Sequence, residues 1–220
     1  MAISKLSPVH TMASPTTSLH LSYFALPGRA ELTRLLFAYG NVDFRDTRYT
    51  FEEYGATKST LNLPFGQLPT LQVDGATTYA QSLAIARYAA KRVGLYPEDP
   101  LVALEADSVV DTIAELYNAT YPIIFGEKDK DAQTTKLDNL NNVVFPRTFE
   151  RLEQRVQGPF FTGATVTFAD VYLLDVVENH IGGFPDHLKL NLAAYPKLQA
   201  IVATLHASDK LKAYYATKSQ

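Results

Sequence analysis

The sequence predicts an α+β unit, ordered β-α-β-α-β-β-α, followed by an all-helical unit. Three observations lead there. Leu19, Leu21 and Tyr23 alternate with other residues, the period of a strand, and Leu32, Leu35, Leu36 and Tyr39 then recur at helical spacing. Asp74-Gly75 separates two short β-type runs and favours a tight hairpin with positive φ. Past Pro100 no stretch reads as a strand, while Val102, Ala106, Val109, Ile113 and Leu116 keep one apolar face of a helix.

The chain of 220 residues suffices for two units. Residues 1–18 are rich in Ser, Thr and Pro, lack an apolar period and read as a mobile tail. Their apolar stretch is too short for a secretory signal, they lack the Arg of a transit peptide, and Met12 offers a second start site. Residues 19–94 form the first domain. Leu19 to Phe24 is its first strand, and Gly28 lets the chain turn into a helix that begins near Ala30. Val42 to Tyr49 reads as a strand, and Phe51 to Leu61 as irregular with a helical turn or two. Thr70 to Val73 and Ala76 to Tyr79 are the hairpin arms, and Gln81 to Val93 is helical. Residues 95–100 hold two prolines and no period, and read as a linker. Residues 101–220 form the helical domain. Leu137 to Val156 supplies a second amphipathic helix there. Thr167 to Ile181 is apolar nearly all round, the pattern of a buried central helix, and Thr167 with Asp170 forms a capping box with Asp in place of Glu. Pro196 suits the first turn of a last helix.

Composition narrows the chemistry. The net charge of −3, with signs interspersed, argues against nucleic-acid binding and leaves no polybasic membrane patch. No apolar run approaches the roughly 18 residues of a membrane span. The absence of Cys excludes disulfides, thiolate metal sites, CxxC redox pairs and a cysteine nucleophile, and it fits a reducing compartment. The five histidines show no metal-ligand spacing, so no metal site is expected.

Several positions can carry chemistry, each beside a plainer reading. Tyr23 stands at a strand end facing the start of a helix, where a phenol and a helix N-terminus together can stabilise an anion; alternatively it is one core tyrosine among 13. Ser22 is a rival hydroxyl, but alternation puts it on the opposite strand face. Arg29 lies in a first helical turn, which disfavours a cation unless a carboxylate partners it. Leu68-Pro69 precedes a strand; a cis bond would turn the Leu68 backbone outward, but only about 5–6% of such bonds are cis, so spacing alone favours trans. Gln81-Ser82 precedes a helix and can hold a carboxylate, or simply cap. Tyr54 and Lys58 can clamp an acidic group or lie on the surface. Asp111 and Glu115 repel mildly at helical spacing unless something positive lies near.

Taken together, Leu21-Ser22-Tyr23-Phe24 with Pro27-Gly28-Arg29-Ala30-Glu31, Pro64-Phe65-Gly66-Gln67-Leu68-Pro69, Gln81-Ser82-Leu83-Ala84-Ile85-Ala86-Arg87-Tyr88 and Thr167-Phe168-Ala169-Asp170 resemble the cytosolic glutathione transferases, nearest the tyrosine-type sigma and pi classes. The resemblance spans Leu19 to Tyr214. It implies a thioredoxin-like first domain, a homodimer, a cytoplasmic setting, and glutathione as co-substrate with no tightly bound cofactor. By position it makes Tyr23 the catalytic residue and Pro69 a structural cis-proline, with the Leu68 backbone pairing the cysteinyl part of glutathione. Gln81 and Ser82 would hold the γ-glutamyl carboxylate, while Tyr54, Lys58 and Gln67 would lie by the glycyl end. Glu115 replaces an Asp that reaches the γ-glutamyl amine across a dimer interface. Tyr54 replaces a common Trp, and Asn62-Leu63 is an extra pair.

The implied chemistry is thiol acidity. A thiol of pKa about 8.5 is mostly protonated at neutral pH. A hydrogen bond from Tyr23 at about 1.5–3 kcal/mol, aided by Arg29 and the helix end, would depress it by one to two units. The thiolate then attacks a hydrophobic electrophile between Phe24, Leu26, Tyr121 and Phe125. The expected function is detoxifying conjugation. The alternatives are a glutathione-dependent isomerase of prostaglandin D synthase type and a non-catalytic glutathione-binding or structural relative.

Overall fold

The computed structural model describes residues 17–218. Four strands form one sheet in the order β2-β1-β3-β4. β1 (Leu19–Phe24) pairs parallel with β2 (Arg45–Tyr49), Ser22 lying opposite Thr47, and antiparallel with β3 (Thr70–Val73); β4 (Thr77–Ala80) closes the hairpin. Asp74 and Gly75 take φ of 52° and 66°, the positive pair that a tight hairpin demands. α1 (Glu31–Tyr39) makes the crossover from β1 to β2. Leu19, Leu21 and Tyr23 are buried on one face of β1, while His20 and Ser22 turn to the other, as alternation requires.

The stretch expected to be irregular is a helix, α2 (Phe51–Thr57), followed by one tighter turn, Lys58–Thr60. None of its residues is buried, so no apolar period announces it. Its start is a capping box: Thr50 Oγ1 accepts from the Glu53 N–H at 3.1 Å, and the Glu53 carboxylate accepts from the Thr50 N–H at 2.8 Å. α3 (Ser82–Arg92) then packs beside α1.

The expected linker is pinned. Leu95 is buried, and its carbonyl accepts from the Phe168 N–H at 2.9 Å. Asp99 already caps α4 (Pro100–Tyr121), which continues through a wider turn, Pro122–Gly126. The next helix begins earlier than apolar spacing indicated: α5 (Lys130–Asn139) is nearly all polar and runs through Leu140–Val144 into α6 (Phe145–Arg155). Every residue of α7 (Phe168–Asp175) is buried, as expected for a central helix, and it continues through Val176–Ile181. The capping box is present: the Asp170 carboxylate accepts from the Thr167 N–H and hydroxyl at 2.8 and 3.0 Å, and from the Phe161 N–H at 2.9 Å. α8 (Pro196–His206) is not the last helix, since α9 (Asp209–Lys218) follows it. α9 buries Leu211 and packs Tyr214 and Tyr215 against the core, a stripe of a single turn that is too short to announce a helix.

α7 touches α1 and α3 of the first unit as well as α4 and α8 of the second, so both halves share it. The chain therefore forms a thioredoxin-like sheet unit followed by a helical domain. The sheet also holds Ser18, whose N–H donates to Asp74 Oδ1 at 2.8 Å; the rest of the expected tail, residues 1–16, lies outside the described residues.

Candidate functional site

Tyr23 is the penultimate residue of β1, with only 6% of its surface exposed. Its oxygen accepts from the Arg29 N–H at 3.1 Å, at the start of the helical stretch leading into α1. A free N–H of that helix end is therefore spent on the phenol itself, which makes the phenol a better donor. Burial pushes the Tyr23 pKa up, against the pull of the Arg29 N–H and of the Arg29 and Arg34 charges, so the phenol keeps its proton. With its oxygen already accepting one hydrogen bond, that proton is available for a ligand. The turn needs Gly28: φ is +48°, and a Cβ there would lie 2.7 Å from Leu26 Cδ1 and 2.8 Å from the Tyr23 oxygen.

Tyr23 opens into a cleft of about 520 Å³, also lined by Phe24, Leu26, Pro27, Gly28, Phe51, Tyr121, Phe125, Asn179, Gly183 and Phe184. All four residues expected as apolar walls are among them. Phe24 and Phe51 pack at 4.9 Å on the sheet side, while Tyr121, Phe125 and Phe184 pack in a chain at 5.6 and 5.7 Å on the helical side. Phe51 and Phe125 are 67% and 63% exposed, an apolar surface of the kind that binds ligands. Burial pushes the Tyr121 phenol up, so it too stays protonated. Phe51, Asn179, Gly183 and Phe184 were not expected. They reach the cleft through tertiary packing, and no local pattern marks them.

Beneath the helical wall lies a buried polar cluster. His180 stacks on Tyr117 at 3.8 Å, shares a hydrogen bond of 2.7 Å with Thr120 and faces the Tyr121 ring at 5.2 Å. Burial lowers its pKa to about 3, so it stays neutral. The Tyr117 hydroxyl and the Asn179 amide both donate to the Asp175 carboxylate, at 3.1 and 3.2 Å.

The remaining expected residues are spread over the fold. Arg29 Nη2 donates to Asn118 Oδ1 at 2.9 Å, and the guanidinium stands 5.4 Å from the Tyr121 ring centre. Tyr54 packs edge-on against Phe24 at 5.0 Å, with the Lys58 ammonium 5.7 Å from its ring centre. Gln67 is exposed beside Leu68, and the Leu68-Pro69 bond is cis, contrary to the reading from spacing alone. Gln81 precedes α3 with φ of 76°, a left-handed conformation uncommon outside glycine and enriched at functional sites. Half-buried Ser82 opens that helix, where unpaired N–H groups suit an anion. Glu115 is exposed on α4 and lines a different cleft, with Arg147 and Arg151 of α6. Its neighbour Asp111 meets the positive charge that sequence spacing called for, Arg87 at 2.8 Å. Ser22, on the far face, lies 3.5 Å from His20, which also bonds Thr47 at 2.8 Å. Among the described residues no His, Asp or Glu cluster has the makings of a metal site.

Comparison with known proteins agrees with this geometry. Residues 19–91 match the glutathione S-transferase N-terminal domain, and residues 114–218 the glutathione S-transferase C-terminal domain. Glutathione S-transferase S1 of Drosophila melanogaster is 36% identical over 202 residues, covering 90% of this chain and 77% of that protein. Hematopoietic prostaglandin D synthase of Gallus gallus is 34% identical over 196 residues, covering 88% and 93%. The structure of prostaglandin synthase D of Nilaparvata lugens superposes with a TM-score of 0.81 at 27% identity, covering 90% of this chain and 97% of that one. The chain belongs to the glutathione S-transferase family.

Proposed function

We propose that the protein is a glutathione transferase in which Tyr23 activates the thiol for attack on hydrophobic electrophiles. One observation carries the reading: a protonated phenol, its oxygen already held by the Arg29 N–H, opens into an aromatic cleft. The Tyr23 hydroxyl donates to the thiolate sulfur and stabilises it over the thiol. Arg29 adds positive potential at the same end. Gln81 and Ser82 take the γ-glutamyl carboxylate at the start of α3, the Leu68 backbone pairs the cysteinyl unit, and Gln67, Tyr54 and Lys58 lie at the glycyl end. Phe24, Leu26, Tyr121 and Phe125 hold the electrophile, and water is kept from the thiolate by the same walls. Residues 19–94 act as the glutathione-binding domain and residues 101–220 as the helical domain, joined at residues 95–100; Pro69, Thr167 and Asp170 have structural roles.

The reading includes a homodimer. It is supported by an apolar groove of about 380 Å³ lined by Leu71, Val73, Tyr79, Ala80, Ala84, Ile85 and Tyr88, and by exposed Phe65, Leu101, Val102 and Leu104. Glu115 then reaches the γ-glutamyl amine of the second copy. A chain without cysteine fits a reducing cytoplasm, and a broad apolar cleft fits detoxification.

The second reading is a glutathione-dependent isomerase, favoured by the likeness to prostaglandin D synthases. Assays with glutathione and an aryl halide, beside a prostaglandin endoperoxide, separate the two. Conjugation of the halide supports the transferase, and endoperoxide turnover without conjugation supports the isomerase. Neither activity, with no glutathione binding, overturns both.

A further inference from the structure

Behind the turn that follows β1 lies a buried ionic cluster. Arg34 and Glu31 are both fully buried. A charge in such a place survives only where its donors are met. The Arg34 guanidinium meets Asp46 through two bonds, Nε at 3.0 Å and Nη2 at 3.3 Å, and Glu31 through Nη1 at 3.2 Å. The same Nη1 also donates to the backbone carbonyls of Leu26 and Pro27, at 2.9 and 3.2 Å. Those carbonyls belong to the turn that walls the cleft and leads through Gly28 to the Arg29 N–H held against Tyr23. The guanidinium stands 5.9 Å from the Tyr23 ring centre.

From the other side, Glu31 Oε1 accepts from the Tyr214 hydroxyl at 2.7 Å. Tyr214 lies on α9, 183 residues further along the chain. A continuous series of hydrogen bonds thus runs from the last helix to the turn that orients the phenol. We propose that Tyr214 is a positioning residue for thiol activation: through Glu31 and Arg34, α9 holds the Leu26–Pro27 turn and with it the pairing of Tyr23 with the Arg29 N–H. The inference rests on Tyr23 being the activating residue. The charges facing Tyr23 are Arg29, Arg34 and Asp175; those around the Glu31 end are Arg34 and Arg48, with Asp46 between the two arginines. Tyr214→Phe changes none of these charges. It removes one hydroxyl and keeps the ring, so its effect on the thiol comes through position.

The test is the full-length Tyr214→Phe variant with bound glutathione. The thiolate absorbance is titrated, and kcat/KM is followed against pH. A less well-held phenol stabilises the thiolate less, so the apparent thiol pKa rises by about half a unit to one unit. Below that pKa the rate falls about three- to ten-fold, and above it the loss disappears. A purely structural contribution lowers the rate by one factor at every pH and leaves the pKa in place, which overturns the proposal. Tyr195→Phe removes a hydroxyl bound to the Pro146 carbonyl on a distant surface, and it should leave the pKa unchanged. A wild-type chain without a Tyr23-dependent thiolate overturns the transferase reading and this inference together. A normal wild-type thiolate with an unmoved pKa in Tyr214→Phe overturns this inference alone.

Discussion

The two sides of the cleft are built on different plans. The working groups of the sheet side are local: Tyr23, Gly28 and Arg29 lie within seven consecutive residues and are fixed by one turn and one helix start. The helical side draws Tyr121 and Phe125 from the end of α4 and Phe184 from beyond α7, and sets them over His180 and Asp175. The first side is polar in its working groups and close in sequence; the second is aromatic and assembled by packing. Chemistry that depends on one hydrogen bond needs the geometric precision of a short segment. Recognition of varied apolar molecules needs area and tolerates distributed construction.

That contrast can be broken experimentally. The largest effect should come from Tyr23→Phe, which removes the donor: kcat/KM near neutral pH should fall about 10- to 100-fold for every electrophile, matching a charge-assisted bond of about 1.5–3 kcal/mol. A loss confined to one electrophile would move Tyr23 from activation to acceptor binding. Gly28→Ala should follow, because its Cβ meets Leu26 and the Tyr23 oxygen and a left-handed conformation costs about 1–2 kcal/mol in an L-residue. Denaturant unfolding should register that loss, and activity should fall about tenfold as the phenol is displaced.

On the helical side the expected signature is a pH-dependent stability. His180 titrates near 6.5 when unfolded and about 3 when folded. Between those values the unfolded state binds more protons, so stability falls as pH drops, by about 1.4 kcal/mol per pH unit. Thermal unfolding from pH 7 to pH 4.5 should show this slope in the wild type and a shallower one in His180→Phe. The smallest effect should be that of Phe184→Ala. It should change the preference between two electrophiles about three-fold through lost aromatic packing, while the thiol pKa stays put. A shifted pKa in that variant would join the two sides that the comparison separates.

Legibility divided along the same line. β1, the hairpin at Asp74-Gly75, α3 and the capping box of α7 could be read because each carries its signal, a period, a turn pair or a cap, within a few residues. α2 and α5 bury almost nothing apolar and α9 only one turn of apolar residues, so no extended period marked them, and tertiary contacts or polar caps make them helices. Composition marks residues 95–100 as a connection, but it does not reveal that the Leu95 carbonyl at its start is taken by the Phe168 N–H. The helix position of Arg29 disfavours a cation without a carboxylate nearby, and it does not reveal that packing brings Asn118 and the Tyr121 ring to the guanidinium.

The sequence by itself determined the strand–turn–helix that presents Tyr23, the need for Gly28, the helical nature of the second half and the family. These follow from alternation, glycine's φ and short motifs, all of which act over a few bonds. Tertiary structure decided the aromatic wall completed by Phe51 and Phe184, the neutral His180 beneath it, the left-handed Gln81 and the bond between Tyr214 and Glu31. Each of these depends on which distant surfaces meet and on how completely water is removed between them, and no local pattern records either.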